Sequence, residues 1–219
     1  MTSVIFDLDG TLIDSLPDIH AAVNRLLASE GQAPMARAEA QSYVGDGAPV
    51  LIRRVMAARG MAMARHGELA ARMVADYTAR SSEETTVYPH VAEVLAALKA
   101  DGCRLGICTN KPESATRAVL AELGLGQFFE VIVAGDTLPE RKPDPTTPLL
   151  HAARLLGPGR AVFVGDSEVD ARTAEAAALP FILFTEGYLR VPRHEISPVA
   201  EFSDYRELPA LLNVGATAD

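Results

Sequence analysis

Ser3-Val4-Ile5-Phe6-Asp7-Leu8-Asp9-Gly10-Thr11-Leu12 is the stretch on which the reading of this chain turns. Residues 3–6 have the composition of a buried strand, and the strand runs straight into two carboxylates two positions apart. Side chains so spaced on extended backbone project to the same side. Two carboxylates side by side repel, and the pair is stable only with a cation or a shared proton. A hard divalent ion with oxygen ligands fits, and Mg²⁺ is the usual choice where a phosphate completes the shell. Gly10 permits a tight turn whose N–H groups can face an anion. The bland alternative is that Asp7 or Asp9 merely caps a turn. Two acids ending an otherwise buried strand are costly unless they serve a function.

Four more apolar runs share this pattern: 104–108, 131–134, 161–164 and 181–184. None alternates cleanly with polar residues, which indicates strands covered on both faces. Helical spacing fills the gaps between them. Val91, Val94, Leu95 and Leu98 repeat at i, i+3, i+4, i+7, with Pro89 before and Gly102 after. Residues 113–123, 148–156 and 171–179 read as further helices, ended by Gly124, Gly157 and Pro180. Strands alternating with helices predict an α/β fold, a Rossmann-like doubly wound parallel sheet. One stretch departs from this. Between Asp14 and Glu84 there is no convincing strand, only helix-like pieces at 17–30, 35–43, 49–59 and 66–79. An all-helical unit, 14–86, is therefore expected as an insertion after the first strand of a core made of 1–13 and 87–219. The small, polar tail from Asn213 to Asp219 is expected to fray.

The residues just beyond each strand carry the chemistry. After the second come Thr109-Asn110-Lys111. After the third come Gly135-Asp136, with Lys142 soon beyond. After the fourth come Gly165-Asp166-Ser167 and then Asp170. Open parallel sheets bind ligands outside the carboxyl ends of their strands, so these groups are expected to meet at one edge. Each has an ordinary alternative: Thr109 a turn hydroxyl, Lys142 before Pro143-Asp144-Pro145 a solvated lysine, Asp166 and Asp170 helix N-terminal acids. Charge arithmetic favours joining them. Asp7, Asp9 and Asp166 carry three negative charges, and Mg²⁺ with Lys142 supplies three positive ones. A proton on Asp9 then leaves a surplus suited to a phosphate dianion. Asp170 would cancel that surplus, so it is placed behind the others as a support.

The composition narrows the class. The 219 residues are 48% hydrophobic and 22% charged, which excludes a disordered or fibrous chain. Apolar runs such as Val131-Ile132-Val133-Ala134 fall far below the ~18 residues needed to span a bilayer, so no membrane partner is expected. Asp7 and Asp9 stand where the apolar part of a signal peptide would lie. A formal charge of −9 without a Lys/Arg cluster argues against nucleic acid. Cys103 and Cys108, five apart on one expected strand, point to opposite faces and cannot bridge. Two buried thiols and no bridge predict a cytoplasmic protein.

Taken together, Asp7-x-Asp9-Gly10-Thr11, Thr109-Asn110, Lys142-Pro143 and Gly165-Asp166-Ser167-x-x-Asp170 resemble the four motifs of the haloacid dehalogenase superfamily, in its phosphatase branch. They occur in family order across residues 7–170, and the helical insertion resembles that family's small cap domain. Tyr43-Val44-Gly45-Asp46-Gly47-Ala48, Tyr88-Pro89, Cys108-Thr109-Asn110-Lys111-Pro112 and Glu186-Gly187-Tyr188 are most similar to the phosphoglycolate phosphatase subgroup. His90 and Leu179 depart from it, each standing where that subgroup often has glycine. The resemblance implies a Mg²⁺-dependent phosphomonoester hydrolase acting on a small phosphorylated metabolite, 2-phosphoglycolate. It implies Asp7 as nucleophile and Asp9 as general acid and base. Mg²⁺ would lie on Asp7, Asp166 and the Asp9 backbone carbonyl. Thr109 and Lys142 would hold the phosphoryl group, with Gly10 and Asn110 lining it, and Thr11, Ser167 and Asp170 would support the site. In the cap, the turn Gly45–Ala48 before Pro49 is either an ordinary helix start or a seat for a second anion. Gly45, Gly47 and, more weakly, Arg53 and Arg54 are the candidates there. Rival readings are a β-phosphoglucomutase-like mutase, a true dehalogenase, a receiver module of about half this length, and a catalytically dead binding protein. Asp9 argues against the dehalogenase. A monomer or a homodimer fits equally.

Overall fold

The computed structural model describes residues 1–80, 82–144 and 148–212. Pro145 and the tail from Asn213 onward lie outside the described residues. The core is a six-stranded parallel sheet. Its strands are β1 (Thr2–Phe6), β4 (Arg104–Cys108), β5 (Val131–Val133), β6 (Arg160–Gly165), β7 (Phe181–Phe184) and β8 (Ala200–Phe202). They lie in the order β5-β4-β1-β6-β7-β8. Counted along the chain this is the 3-2-1-4-5-6 order of a doubly wound sheet, with the strand order reversing at β1. A two-residue antiparallel pair, β2 (Ile13–Asp14) with β3 (Thr86–Val87), stands apart from it.

Continuous apolar runs are what a sheet covered on both faces requires, and the packing shows why. Val4 and Phe6 join Leu105, Ile107, Val162, Val164, Ile182 and Phe184 on one face. Against them lie α5 (Val91–Ala100), α6 (Glu113–Glu122) and the short α9 (Leu208–Leu211). Ile5 points the other way, with Cys108, Phe163, Phe181 and Leu183, toward α7 (Pro148–Leu156) and α8 (Glu168–Ala176). Alternation along each strand is thus present, but both sides are apolar because both are buried.

Between β2 and β3 the chain forms α1 (Leu16–Ser29), α2 (Arg37–Gln41), α3 (Ala48–Ala58) and α4 (His66–Thr78). Their apolar faces, among them Leu27, Ile52, Val55, Met56 and Leu69, form a cluster of their own. Buried Asp18 at the start of α1 accepts from the Thr85 backbone N–H at 2.8 Å and its hydroxyl at 2.6 Å. That carboxylate staples the exit of the helical unit to its return.

The structure corrects several expectations. β8 escaped the sequence reading because three residues, one of them Glu201, show neither an apolar run nor a clear alternation. β2 and β3 are two residues each and carry no periodicity at all. α8 starts at Glu168 rather than 171 and ends at Ala176, because Ala178 turns left-handed at φ 52°. Leu179, the next residue, therefore needs no glycine. His90 does occupy a left-handed position, φ 65°, ahead of α5. Cys103 lies just before β4 and is half-buried, so only Cys108 is a fully buried thiol, its pKa pushed up to about 12 by burial.

Candidate active site

Register brings the two ends of the sequence motif together. β1 pairs directly with β6, Phe6 opposite Val164, and the Asp7 N–H donates to the Val164 carbonyl at 2.9 Å. Asp7 and Asp166 therefore leave the sheet side by side, at the point where the strand order reverses. Asp7, Asp166 and Asp170 are buried and offer carboxylate oxygens within 4.8 Å of one another.

Lys142 enters between them. It is 3% exposed, so it is no solvated lysine. Its Nζ lies 2.7 Å from Asp170 Oδ1 and 2.8 Å from Asp7 Oδ1. The contact to Asp7 is an ion pair at poor angle, and Asp7 Oδ1 accepts no well-aligned hydrogen bond. Burial opposes charge on Lys142, but Asp170 and Asp7 outweigh it and hold its pKa above the usual lysine value. Burial pushes Asp7 up to about 6, against the pull of Lys142, with Asp170 and Asp9 adding repulsion. Asp166 is raised well above the carboxylate range by burial, then by Asp170 and Asp7.

Asp170 is fully committed. Its second oxygen accepts from Ser167 Oγ at 2.6 Å and from the Ser167 N–H at 3.1 Å, closing the capping box that starts α8. Asp170 is thus a helix N-terminal acid, one of the two readings the sequence allowed, and it also holds Lys142, which the sequence did not announce. Asp166 accepts from Thr11 Oγ1 at 2.6 Å and from the Tyr188 N–H at 2.7 Å. Gly10 is required beside it. A Cβ there would fall 2.4 Å from Asp166 Oδ2 and 2.7 Å from Tyr188, at φ 88°.

The Asp9 carboxylate stands outside that cluster. Its Oδ1 accepts from Ser15 Oγ at 2.6 Å and from Lys111 Nζ at 2.8 Å. Lys111 is buried like Lys142, though slightly less deeply, and its Nζ also donates to Tyr77 Oη at 2.5 Å. Thr109 Oγ1 accepts the Lys111 N–H at 3.3 Å, which leaves the hydroxyl hydrogen to donate elsewhere. Asp7, Asp9, Thr109, Asn110 and Lys111 line one face of a cavity of about 60 Å³. Val44, Gly45, Gly47, Leu51, Met73 and Tyr77 of the helical unit close the other.

Three predicted roles change. The Gly10 N–H donates to the Ile13 carbonyl at 2.8 Å and is not free for an anion; Gly10 serves by leaving room for Asp166. The Asn110 amide donates to the Gly45 carbonyl at 3.0 Å and the Lys142 carbonyl at 2.9 Å. Its buried Oδ1 is an acceptor, so the Asn110 side chain, with its N–H groups taken, offers a phosphate oxygen no further donor. Arg53 is exposed and does not line the cavity, while Arg54 is turned onto Asp46 at 2.7 Å. Asp136 reaches the same sheet edge but caps α6, accepting the Glu113 N–H at 2.7 Å.

Lys111, Tyr77, Ser15 and Arg190 are the site residues that sequence reasoning missed. Lys111 stood in a loop already singled out. Tyr77 ends the apolar face of α4 formed by Leu69, Ala70 and Met73, and a polar tip on such a stripe is the available signal. Arg190 had none. It bridges Glu168 of the core at 2.7 Å and Asp46 of the helical unit at 2.9 Å.

The donor set suits a hard cation. It is all oxygen, buried, and carries three carboxylates against one lysine, an excess of negative charge that burial makes costly. Such a sheet-edge cluster of acids with one buried lysine defines a class of phosphoryl-handling hydrolases, and the comparisons agree. The family model for haloacid dehalogenase-like hydrolases matches residues 1–178, and the chain belongs to that family. Phosphoglycolate phosphatase of Cereibacter sphaeroides is 52% identical over 214 residues, covering 97% of this chain and 98% of the relative. A crystal structure of a predicted phosphoglycolate phosphatase from Haemophilus somnus superposes with a TM-score of 0.88 at 29% identity, covering 96% of this chain and 97% of that one. CbbY of Rhodobacter sphaeroides, solved with phosphate, does so with a TM-score of 0.81 at 26% identity, covering 94% and 95%. The protein is a phosphatase enzyme. No helix among the described residues is long and apolar enough to cross a membrane.

Proposed function

We propose that the chain hydrolyses 2-phosphoglycolate to glycolate and phosphate through a phosphoenzyme on Asp7, with Mg²⁺ as cofactor, in the cytoplasm. The observation that carries this is Asp7 itself: a buried carboxylate ending β1, ion-paired to Lys142 and adjacent to Asp166. A carboxylate so held is rigid, as a nucleophile needs to be. Asp7 attacks phosphorus, and the bond from phosphorus to the alcohol oxygen breaks. Asp9, steadied by Ser15 and Lys111, gives its proton to that oxygen. Asp9 then takes a proton from water as the water attacks phosphorus and Asp7 is released. Thr109 and Lys142 hold the phosphoryl oxygens. Asp7 and Asp166, with the Asp9 backbone carbonyl, would hold Mg²⁺. When bound, the ion offsets carboxylate charge and draws electron density from the phosphoryl group. Residues 14–86 act as the cap that excludes bulk water over the reaction.

The substrate reading is supported by the name of the 52% identical relative and by the size of the cavity. A water-sized sphere takes roughly 10–15 Å³ on the same measure, so the cavity has room for a short phosphorylated chain. The test is phosphate release across small phosphorylated acids and sugars, with Mg²⁺ and with chelator. We expect the highest kcat/KM for 2-phosphoglycolate and loss of activity on chelation. Higher kcat/KM on a phosphosugar would overturn the substrate. Full activity in chelator would overturn the cofactor. Phosphate returned to the organic substrate instead of to water would make the protein a mutase.

A further inference from the structure

We infer that Lys111 and Tyr77 together form the seat for a carboxylate at the end of the substrate remote from its phosphoryl group, and so set the preference for a phosphorylated acid. This rests on the proposed hydrolase activity and adds the residues that choose the substrate. Lys142 cannot serve, because it stands between Asp7 and Asp170 on the phosphoryl side and is not among the residues that line the cavity. Of the described residues that line the cavity, Lys111 is the one cation; the other charged groups are Asp7 and Asp9, and most of the remainder is apolar. A second anion entering this space therefore has one cationic partner.

The donors are in place for it. An ammonium carries three hydrogens, and Lys111 directs them at Asp9 and Tyr77 with one to spare. Because Lys111 donates to Tyr77 Oη, the phenol keeps its own hydrogen to give. Burial raises the Tyr77 pKa, so that hydrogen stays on. The seat therefore offers an ammonium N–H and a phenol O–H from two directions, which matches the two oxygens of a carboxylate.

The placement adds a consequence. Lys111 sits in the loop after β4 and Tyr77 on α4 of the helical unit, so a carboxylate seated on both spans the two parts. The Lys111–Tyr77 hydrogen bond already joins the two parts, and a phosphate ester without that group adds no further partner to it. Burial of both side chains makes an unfilled seat costly, and this is the usual basis of strong discrimination against an analogue lacking a charged group.

The test compares 2-phosphoglycolate with 2-hydroxyethyl phosphate, which has the same chain length and no carboxylate. We expect wild-type protein to prefer 2-phosphoglycolate. Lys111→Met should lower kcat/KM for it by about 100-fold and for 2-hydroxyethyl phosphate by about 10-fold or less, collapsing the ratio. Tyr77→Phe should lower the same ratio by a smaller factor, and Lys111→Arg should restore part of it. If Lys111→Met does not fold, Tyr77→Phe carries the comparison. Equal losses on both substrates would mean that Lys111 acts only through Asp9, and would overturn the seat. No wild-type preference between the two would overturn it as well. No hydrolysis of either ester by wild type would sink the hydrolase reading, and the seat with it.

Discussion

Asp7 and Asp9 are chemically the same and two residues apart, yet their surroundings separate them. Asp7 leaves the end of β1 beside Lys142 and Asp166, while Asp9 turns toward Ser15 and Lys111 under the helical unit. On the proposed mechanism, Asp7→Asn should abolish turnover on every substrate, because no phosphoenzyme could form. Asp9→Asn should behave otherwise with p-nitrophenyl phosphate, whose leaving group needs little protonation. Phosphorylation should proceed and hydrolysis stall by about 10²–10⁴-fold, the usual worth of general acid–base help. Mass spectrometry should find the phosphoryl adduct on Asp7, with a burst of one product per enzyme. An adduct on Asp9 in Asp7→Asn, with turnover retained, would reverse the roles.

Among the elements, the link between helical unit and core is electrostatic at one point. Asp46, in the loop before α3, takes Arg190 from beyond β7 and Arg54 from α3. Burial opposes ionisation of Asp46, but the hydrogen bonds from Arg190 and Arg54 outweigh it and hold its pKa below the ordinary value. A carboxylate lowered on folding stabilises the fold fully above its unfolded pKa, near 3.8. That contribution fades as pH falls through the folded value. Wild type should therefore lose more stability between pH 5 and pH 3 than Asp46→Asn, read as the shift in urea midpoint. The difference should be modest, because the pair keeps some contact with solvent and its charges are partly screened. Identical pH profiles would dissociate Asp46 from the docking of the helices.

At the scale of the whole molecule, the acid cluster at the β1/β6 junction stores repulsion that a bound cation would relieve. Burial pushes up both Asp7 and Asp166, Asp170 raises both further, and Asp7 adds to the rise of Asp166. Anything that binds the folded chain alone stabilises it by mass action, by ~2.7 kcal/mol at a hundred times its Kd. A chain of this size gains roughly 2–4 °C for each kcal/mol, so saturating Mg²⁺ should raise Tm by about 5–10 °C. Asp166→Asn should lose most of that rise. An unchanged Tm in wild type, measured by calorimetry with and without Mg²⁺, would refute binding at this cluster.

What local sequence determined here is the part set by spacing and polarity. Residues 3–6, 104–108 and 181–184 declare themselves as strands because a two-face-buried strand must be apolar throughout. Asp7, Lys142, Asp166 and Asp170 declare themselves because a charged group at the end of such a strand, or in the loop beyond it, stands out. Tertiary structure alone decided how those charges are spent. Nothing in the chain near Lys142 says that Asp170 will hold it, because the two meet through a contact between residues 28 apart. Gly10 reads as an anion donor until its N–H is found bonded to Ile13, and the Asn110 side-chain amide is likewise taken by Gly45 and Lys142. Lys111 is placed at the sheet edge by the sequence but has no stated role until the helical unit folds over it and Tyr77 meets it across 34 residues. Hydrogen-bond partners depend on long-range approach, and local spacing carries no record of that.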